Sequence, residues 1–437
     1  MHELNRHSQL KRNILSGTLT ATGGIVVSIV GYPIYLHFLG AELYGLWAVL
    51  TVIIFFSSIG NFGIDEALIK YIAEEYERKN IENIVEFIST GINLLLVNGI
   101  IIFIILKLLE NLLLSVLNLS AGYVLVFKNI FPYIVILSVF ILIVSFVNAI
   151  LKGLGRFDQA SYILLSGRVF VLLISILLFI NGYKIWSLYW GQLLSFVFVF
   201  LMSSCFIGRK IGFYYNPLKG KKAMFVKLVK FGGTITVSKA LAIFLEPFIK
   251  FVITRYIGLA EVTYFEIANK IVMQIRSLFE RGISAIMPEV SRLSTAIKDA
   301  KVKISEMMRR INKLNVLVGS SVFILLLFIG EPLLKLWLSA GYCKVITIAF
   351  RVIIGGYLIN LLSVPSYYYF MGTGQVRFCF LNHLIQTLLN FILVVVLIFF
   401  DIVNFQLLVT VYAVSIAISS IVLMIMYYNN LRNIKIL

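Results

Sequence analysis

Long apolar runs broken by short polar connections divide the chain into twelve segments. They lie near 14–39, 43–63, 83–106, 124–150, 159–181, 185–207, 231–254, 262–287, 314–334, 345–370, 378–400 and 404–427. About 20 apolar residues in a helix cross a ~30 Å hydrocarbon core. The pattern therefore predicts an all-α integral membrane protein of about twelve transmembrane helices. The segments beginning at 231 and 262 are the least apolar of the set. The longest connection assigned to the outer face, 107–123, leaves no room for a soluble domain. Whatever the protein does is expected to be done among its helices.

The twelve segments fall into two sets of six. Gly40 in FLGAE and Gly258 in YIGLAE are 218 residues apart, each ending an odd-numbered segment. Gly153 in LKGLGRF and Gly372 in FMGTGQV are 219 apart, each in a turn after an even-numbered segment. Two anchors at nearly one offset suggest a duplicated unit. Six is even, so the halves share one orientation, as in a parallel repeat about the membrane normal. The expected organisation is a six-helix lobe at 1–208, a basic cytoplasmic linker at 209–230 and a second six-helix lobe at 231–437. A central hydrated cleft between the lobes is the expected place for a substrate.

Composition agrees. The chain is 60% hydrophobic and 13% charged, with mean hydropathy +0.98. Soluble domains carry about 25% charged residues. A net charge of +18 would suggest nucleic acid in a soluble protein. Here 25 lysines and arginines fall in alternate connections that include both termini, against seven in the others and six within segments. That bias predicts cytoplasmic termini and accounts for the charge without a nucleic-acid partner. Arg6, Lys11 and Arg12 precede an apolar run longer than a signal-peptide core, which reads as an uncleaved first span. Cys205, Cys343 and Cys379, with His2, His7, His37 and His383, are too scattered for a disulfide framework or a metal site. No cofactor or metal is expected.

The segment VTYFEIANKIVMQIRSLFERGISAIMPEV at 262–290 departs from the oily pattern. On a wheel of ~100° per residue, Glu266, Ser284, Ser277, Lys270, Arg281 and Gln274 share one side with Glu280, Asn269 and Arg276. Ile271, Ile275, Ala268, Phe279, Val272 and Ile283 share the other. It can lie flat on the membrane surface, pair its charges internally, or span with its polar side on water. A charge at the bilayer centre costs about 2.5–3.5 kcal/mol, so five facing lipid is excluded. Losing this span would also break the charge alternation, which favours the water-facing placement.

Other segments carry Arg168, Lys239, Glu246 and Arg351, with Lys250 one turn beyond Glu246 at an outer end. Each alone can be a snorkelling or structural charge. Together, Arg168, Lys239, Lys270, Arg276, Arg281 and Arg351 suggest a cationic cavity. Glu246, Glu266, Gln274, Ser277 and Glu280 would be its polar or ion-coupling members. Such a wall suits an anion: arginine forks onto phosphate, and lysine adds a point charge.

The run YLHFLGAELYGLWAVLTVIIFFSSIGNFGIDEALIKYIAEEY at 35–76, with Gly40, Tyr44, Gly45, Trp47, Gly60 and Gly63, resembles the opening spans of oligosaccharide-lipid flippases. LKGLGRFDQAS at 151–161, IMPEVSRL at 286–293 and LLKLWLSAGY at 333–342 are similar to further segments of that family. The resemblance covers nearly the whole chain. It implies the polysaccharide (O-antigen, Wzx-type) branch of the multidrug/oligosaccharidyl-lipid/polysaccharide exporter superfamily, with a MATE-like fold. Members move polyprenyl-diphosphate-linked sugar units across the bacterial cytoplasmic membrane, and their cationic cavity is thought to hold the diphosphate. The implied partners are that lipid-linked oligosaccharide, the bilayer and other polysaccharide-assembly membrane proteins. Twelve spans argue against the fourteen-span peptidoglycan-precursor branch.

Two further functions stay open from the residues alone. A cation-coupled multidrug exporter would use an embedded carboxylate, for which Glu246, Glu266 and Glu280 are available. A membrane enzyme such as a sugar polymerase would need positioned acids and a large loop, and no DxD cluster or long outer loop is present.

Overall fold

The computed structural model describes the backbone of all residues but 1, 60, 62, 213–219, 285–289, 291–299 and 436–437. It also leaves aside the side chains of 2–11, 13–15, 58–59, 234–243, 300–302 and 432–435. Gly60, most of the IMPEVSRL motif and the middle of the basic linker therefore lie outside the described residues. The described chain is helical throughout, without strands. It divides into two compact units, Met1–Ala240 and Leu241–Leu437.

The first unit holds α1 (His2–Ile59), α2 (Ile64–Glu77), α3 (Ile81–Leu117), α4 (Ala121–Gly153), α5 (Phe157–Ile180) and α6 (Ile185–Ile211). It also takes the first part of α7 (Lys222–Tyr256). The segments 14–39 and 43–63 appear as one helix bent at Gly40, whose φ of 70° and ψ of 173° only glycine adopts without strain. The α5–α6 seam is built on small residues. Ser195 Oγ donates to the Gly167 carbonyl at 2.8 Å, and Ser175 Oγ to the Ser187 carbonyl at 3.2 Å. Small residues let backbones approach and give hydroxyls a partner where lipid offers none.

The end of the linker is tied to this unit. Lys221 Nζ lies 2.5 Å from Glu86 Oε1, and the Lys221 amide donates to Thr90 Oγ1 at 3.2 Å. The bond to Glu86 pushes the Lys221 pKa up. About two and a half turns into α7, Phe231 packs on Tyr71 and lies 4.4 Å below the Lys70 ammonium. The glycine joint at Gly63 sits against the Gly232 carbonyl, 2.3 Å from where a Cβ would stand.

The second unit holds the rest of α7 with α8 (Leu259–Ser284), α9 (Ala300–Leu314), α10 (Ser321–Leu338), α11 (Lys344–Gly372), α12 (Val376–Phe399) and α13 (Phe405–Lys435). The two turns singled out as a repeat have the same hydrogen bonds. After α4, Gly155 (φ 74°) is followed by Arg156, whose amide reaches the Leu151 carbonyl at 2.9 Å. After α11, Gly374 (φ 75°) is followed by Gln375, whose amide reaches the Phe370 carbonyl at 2.9 Å. Each is a glycine C-cap that reaches back five residues.

Among the described residues, nine helices are long and apolar enough to cross a membrane. The first of these contains the two segments joined at Gly40. The segments at 231 and 262 fall outside the nine, although α7 and α8 are helices of 35 and 26 residues. At ~1.5 Å per residue, even α8 is about 39 Å long. The protein is a multi-pass membrane protein.

α9 runs into α10 through a π-helical turn, Asn315–Ser320. At that turn Asn315 Nδ2 donates to the Leu361 carbonyl of α11 at 2.7 Å. Leu361 stands four residues before Pro365, so its carbonyl has lost the amide that would ordinarily bond it. Asn315→Leu is expected to lower stability by about 1–3 kcal/mol, the cost of an unmet buried polar group. Adding Pro365→Ala should recover most of it. Thermal unfolding of the detergent-solubilised variants checks this, and a double variant no better than Asn315→Leu refutes it.

Candidate functional site

The charged helix is α8, and its polar side is not one surface. α8 packs along α11, which packs along α13. Glu266 and Asn269 are buried, whereas Lys270, Gln274 and Ser277 are half-buried and Arg281 is exposed. Two networks account for most of these groups.

The first joins α7 and α8. Lys250 Nζ lies 2.7 Å from Glu246 Oε1, one turn earlier on α7, and also contacts Glu266 Oε2 of α8. Lys270 Nζ reaches the same two carboxylates at 3.5 and 3.8 Å. The side chain of Lys250 is 4% exposed and that of Lys270 is 38% exposed. Beside the quartet, Tyr412 OH donates to Asn269 Oδ1 at 3.1 Å, and the Tyr357 and Tyr412 hydroxyls are 3.0 Å apart.

The second network lies further along α8. Arg276 Nε donates to Asn360 Oδ1 at 2.5 Å and Nη1 to Glu280 Oε2 at 2.8 Å. Asn360 Nδ2 donates to Ser420 Oγ at 2.9 Å, and Tyr368 OH to Glu280 Oε1 at 3.3 Å. Across both networks three cations, Lys250, Lys270 and Arg276, meet three carboxylates, Glu246, Glu266 and Glu280. The wall is thus close to neutral at these positions, and Arg281 lies beyond them at the exposed end of the face.

The remaining candidates stand elsewhere. Arg351 pairs with Glu331 of α10 at 3.0 Å, is half exposed, and shares that acid with Lys335. Arg168 belongs to the first unit, where its guanidinium packs over Gly24 of α1. Ser277 Oγ donates to the Gln274 carbonyl at 2.7 Å. Lys239 is in α7, and its side chain is outside the described residues.

The residue that sequence reasoning misplaced is Lys250. Counted there with an outer connection, it is buried at the centre of the quartet. The signal was present in the i,i+4 spacing of Glu246 and Lys250, which puts the two on one helix face. Its second partner, Glu266, comes from another helix and is visible only in the fold. Tyr357, Tyr412 and Asn360 were missed because single polar groups in oily helices look like packing residues.

Residues 10–294 match the family described as "Polysaccharide biosynthesis protein". The chain belongs to that family. The match takes in all of α8 and the ionic quartet, while Asn360, Tyr357 and Tyr412 lie beyond it. Among solved structures, an inward-facing multidrug resistance MATE family transporter of the MOP superfamily aligns over 98% of each chain, with TM-score 0.74 and 14% identity. The lipid II flippase MurJ, in an inward closed conformation, aligns over 94% of this chain and 86% of its own, with TM-score 0.73 and 14% identity. A MOP superfamily transporter from Pyrococcus furiosus, described as having a binding pocket of reverse polarity, aligns over 97% and 96%, with TM-score 0.63 and 14% identity. At that identity the likeness is one of fold, and the polysaccharide family member shares the MATE and MurJ fold. A search of curated proteins found no match.

Proposed function

We propose that the protein is a flippase that moves a polyprenyl-diphosphate-linked oligosaccharide across the bacterial cytoplasmic membrane by alternating access, with both termini cytoplasmic. Family membership in polysaccharide biosynthesis and a fold held in common with a lipid flippase support this. The observation that carries it is the asymmetry of the ionic quartet. Lys250 holds both carboxylates closely and is buried, while Lys270 sits farther from each and is partly open. Lys270 can therefore turn to a phosphate without stranding either glutamate, because Lys250 remains between them. A diphosphate gains a charge-assisted partner, and Arg281, further along α8, adds a second positive end to the track. The sugars stay hydrated and the polyprenyl chain stays in lipid.

The cation-coupled multidrug exporter is the weaker reading. Of the acids it would use, Glu246 and Glu266 are engaged by ammonium groups and Glu280 by the Arg276 guanidinium.

Lys270→Ala is expected to leave folding nearly unchanged and to weaken headgroup binding by about ten- to a hundredfold, the range for losing one charge-assisted hydrogen bond. Transport of labelled lipid-linked oligosaccharide in vesicles, for Lys270→Ala and Arg281→Ala, is the measurement. Undiminished rates in both variants would remove these residues from the mechanism.

A further inference from the structure

Beyond Arg276, the second network ends in a corner of three rings. Tyr367 and Tyr368 meet with centroids 5.6 Å apart and planes at 79°. His383 of α12 lies against Tyr367 at 5.8 Å and 70°. All three are half-buried. Among the described residues, neither the Tyr367 hydroxyl nor the His383 imidazole makes a hydrogen bond, while Tyr368 points its hydroxyl at Glu280. Half-buried polar groups beside a held carboxylate are placed to meet a polar ligand that enters there.

We propose that Tyr367, Tyr368, His383 and Glu280 form a subsite for one pyranose ring of the transported lipid-linked oligosaccharide. A pyranose has an apolar C–H face, which stacks on an aromatic plate, and a rim of hydroxyls, which need directed donors and acceptors. The corner supplies both. Arg276 already balances the charge of Glu280, so the pair offers hydrogen bonds without net charge. That suits a neutral ring better than an ion. Glu280 is ten residues beyond Lys270 on α8, about 15 Å along the axis, so diphosphate and sugar would be read at separate points on one helix.

The subsite rests on the flippase reading, and the test separates the two. The full-length protein in nanodiscs is offered polyprenyl diphosphate with and without one N-acetylhexosamine. The wild type is expected to hold the glycosylated lipid at least about tenfold more tightly. Tyr367→Ala should erase that preference and leave affinity for the bare diphosphate as it was; Tyr367→Phe, which keeps the stacking ring and loses the hydroxyl, should keep only part of it. Should Tyr367→Ala fail to fold, His383→Ala carries the same comparison. Equal wild-type affinity for both lipids overturns the subsite and leaves the flippase reading standing. A Tyr367→Ala effect that is absent, or equal on both lipids, also overturns it. Failure to bind either lipid overturns both proposals.

Discussion

Lys250→Ala is expected to be one of the two most damaging single changes to the second unit. It removes the ammonium lodged between Glu246 and Glu266 and leaves Lys270 to answer two carboxylates from farther away. Breaking a buried ion pair by deleting one partner costs about 3–5 kcal/mol, because the surviving charge stays out of water. Native stabilities of about 5–15 kcal/mol leave little after that loss. The variant should give mostly aggregated protein on extraction and a much lower unfolding temperature. Adding Glu246→Gln restores charge balance, with Glu266 and Lys270 as the remaining pair, and should recover a large part. A Lys250→Ala protein as stable as the wild type would show that the quartet does not hold α7 to α8.

Gly356→Val is expected to open the seam between α11 and α13. A Cβ at Gly356 would stand 2.6 Å from the Ala413 carbonyl oxygen and 2.9 Å from its Cα. These are backbone atoms and cannot swing aside, so the helices must part. Overpacking of this kind costs about 1–3 kcal/mol. The same seam aligns Asn360 with Ser420, Tyr357 with Tyr412 and Tyr369 with Asn430, so those bonds lengthen with it. At about 1 kcal/mol for each bond lost, the total is about 4–6 kcal/mol, on a par with that of Lys250→Ala. Gly355 is the internal control, since a Cβ there meets nothing within 4 Å. Thermal unfolding should fall steeply for Gly356→Val, less for Gly356→Ala, and hardly at all for Gly355→Ala. Equal tolerance at 355 and 356 would refute the close approach.

Most of the helical layout was legible because oily periodicity reports what lipid demands. Over the described residues all twelve segments lie on helices apart from a few end residues, and the glycines picked out by spacing, Gly40, Gly153, Gly258 and Gly372, fall at bends or helix ends. The misses have one cause. α2 was read as a connection, yet it is an amphipathic helix that buries Ile64, Ala67, Leu68 and Ile72. α9 is likewise helical and polar. Hydropathy sees neither, because each hides only a stripe. The candidate site was legible as composition and not as geometry. The wheel placed Glu266 and Lys270 together correctly, but it cannot tell which neighbour each meets. Glu266 turned to Lys250 of α7, and Arg276 to Asn360 of α11, through contacts that only the fold creates.

The π-turn at Asn315 and the proline at 365 belong to separate helices, and each alone would look like a flaw. Joined through the Leu361 carbonyl, which Pro365 leaves without its helical amide and Asn315 meets, they form a lock between two helices. Exchanging Asn315 first leaves the Leu361 carbonyl unmet in oil, whereas exchanging Pro365 first adds an amide that the same carbonyl can also accept, so the path to two regular helices has a favoured order.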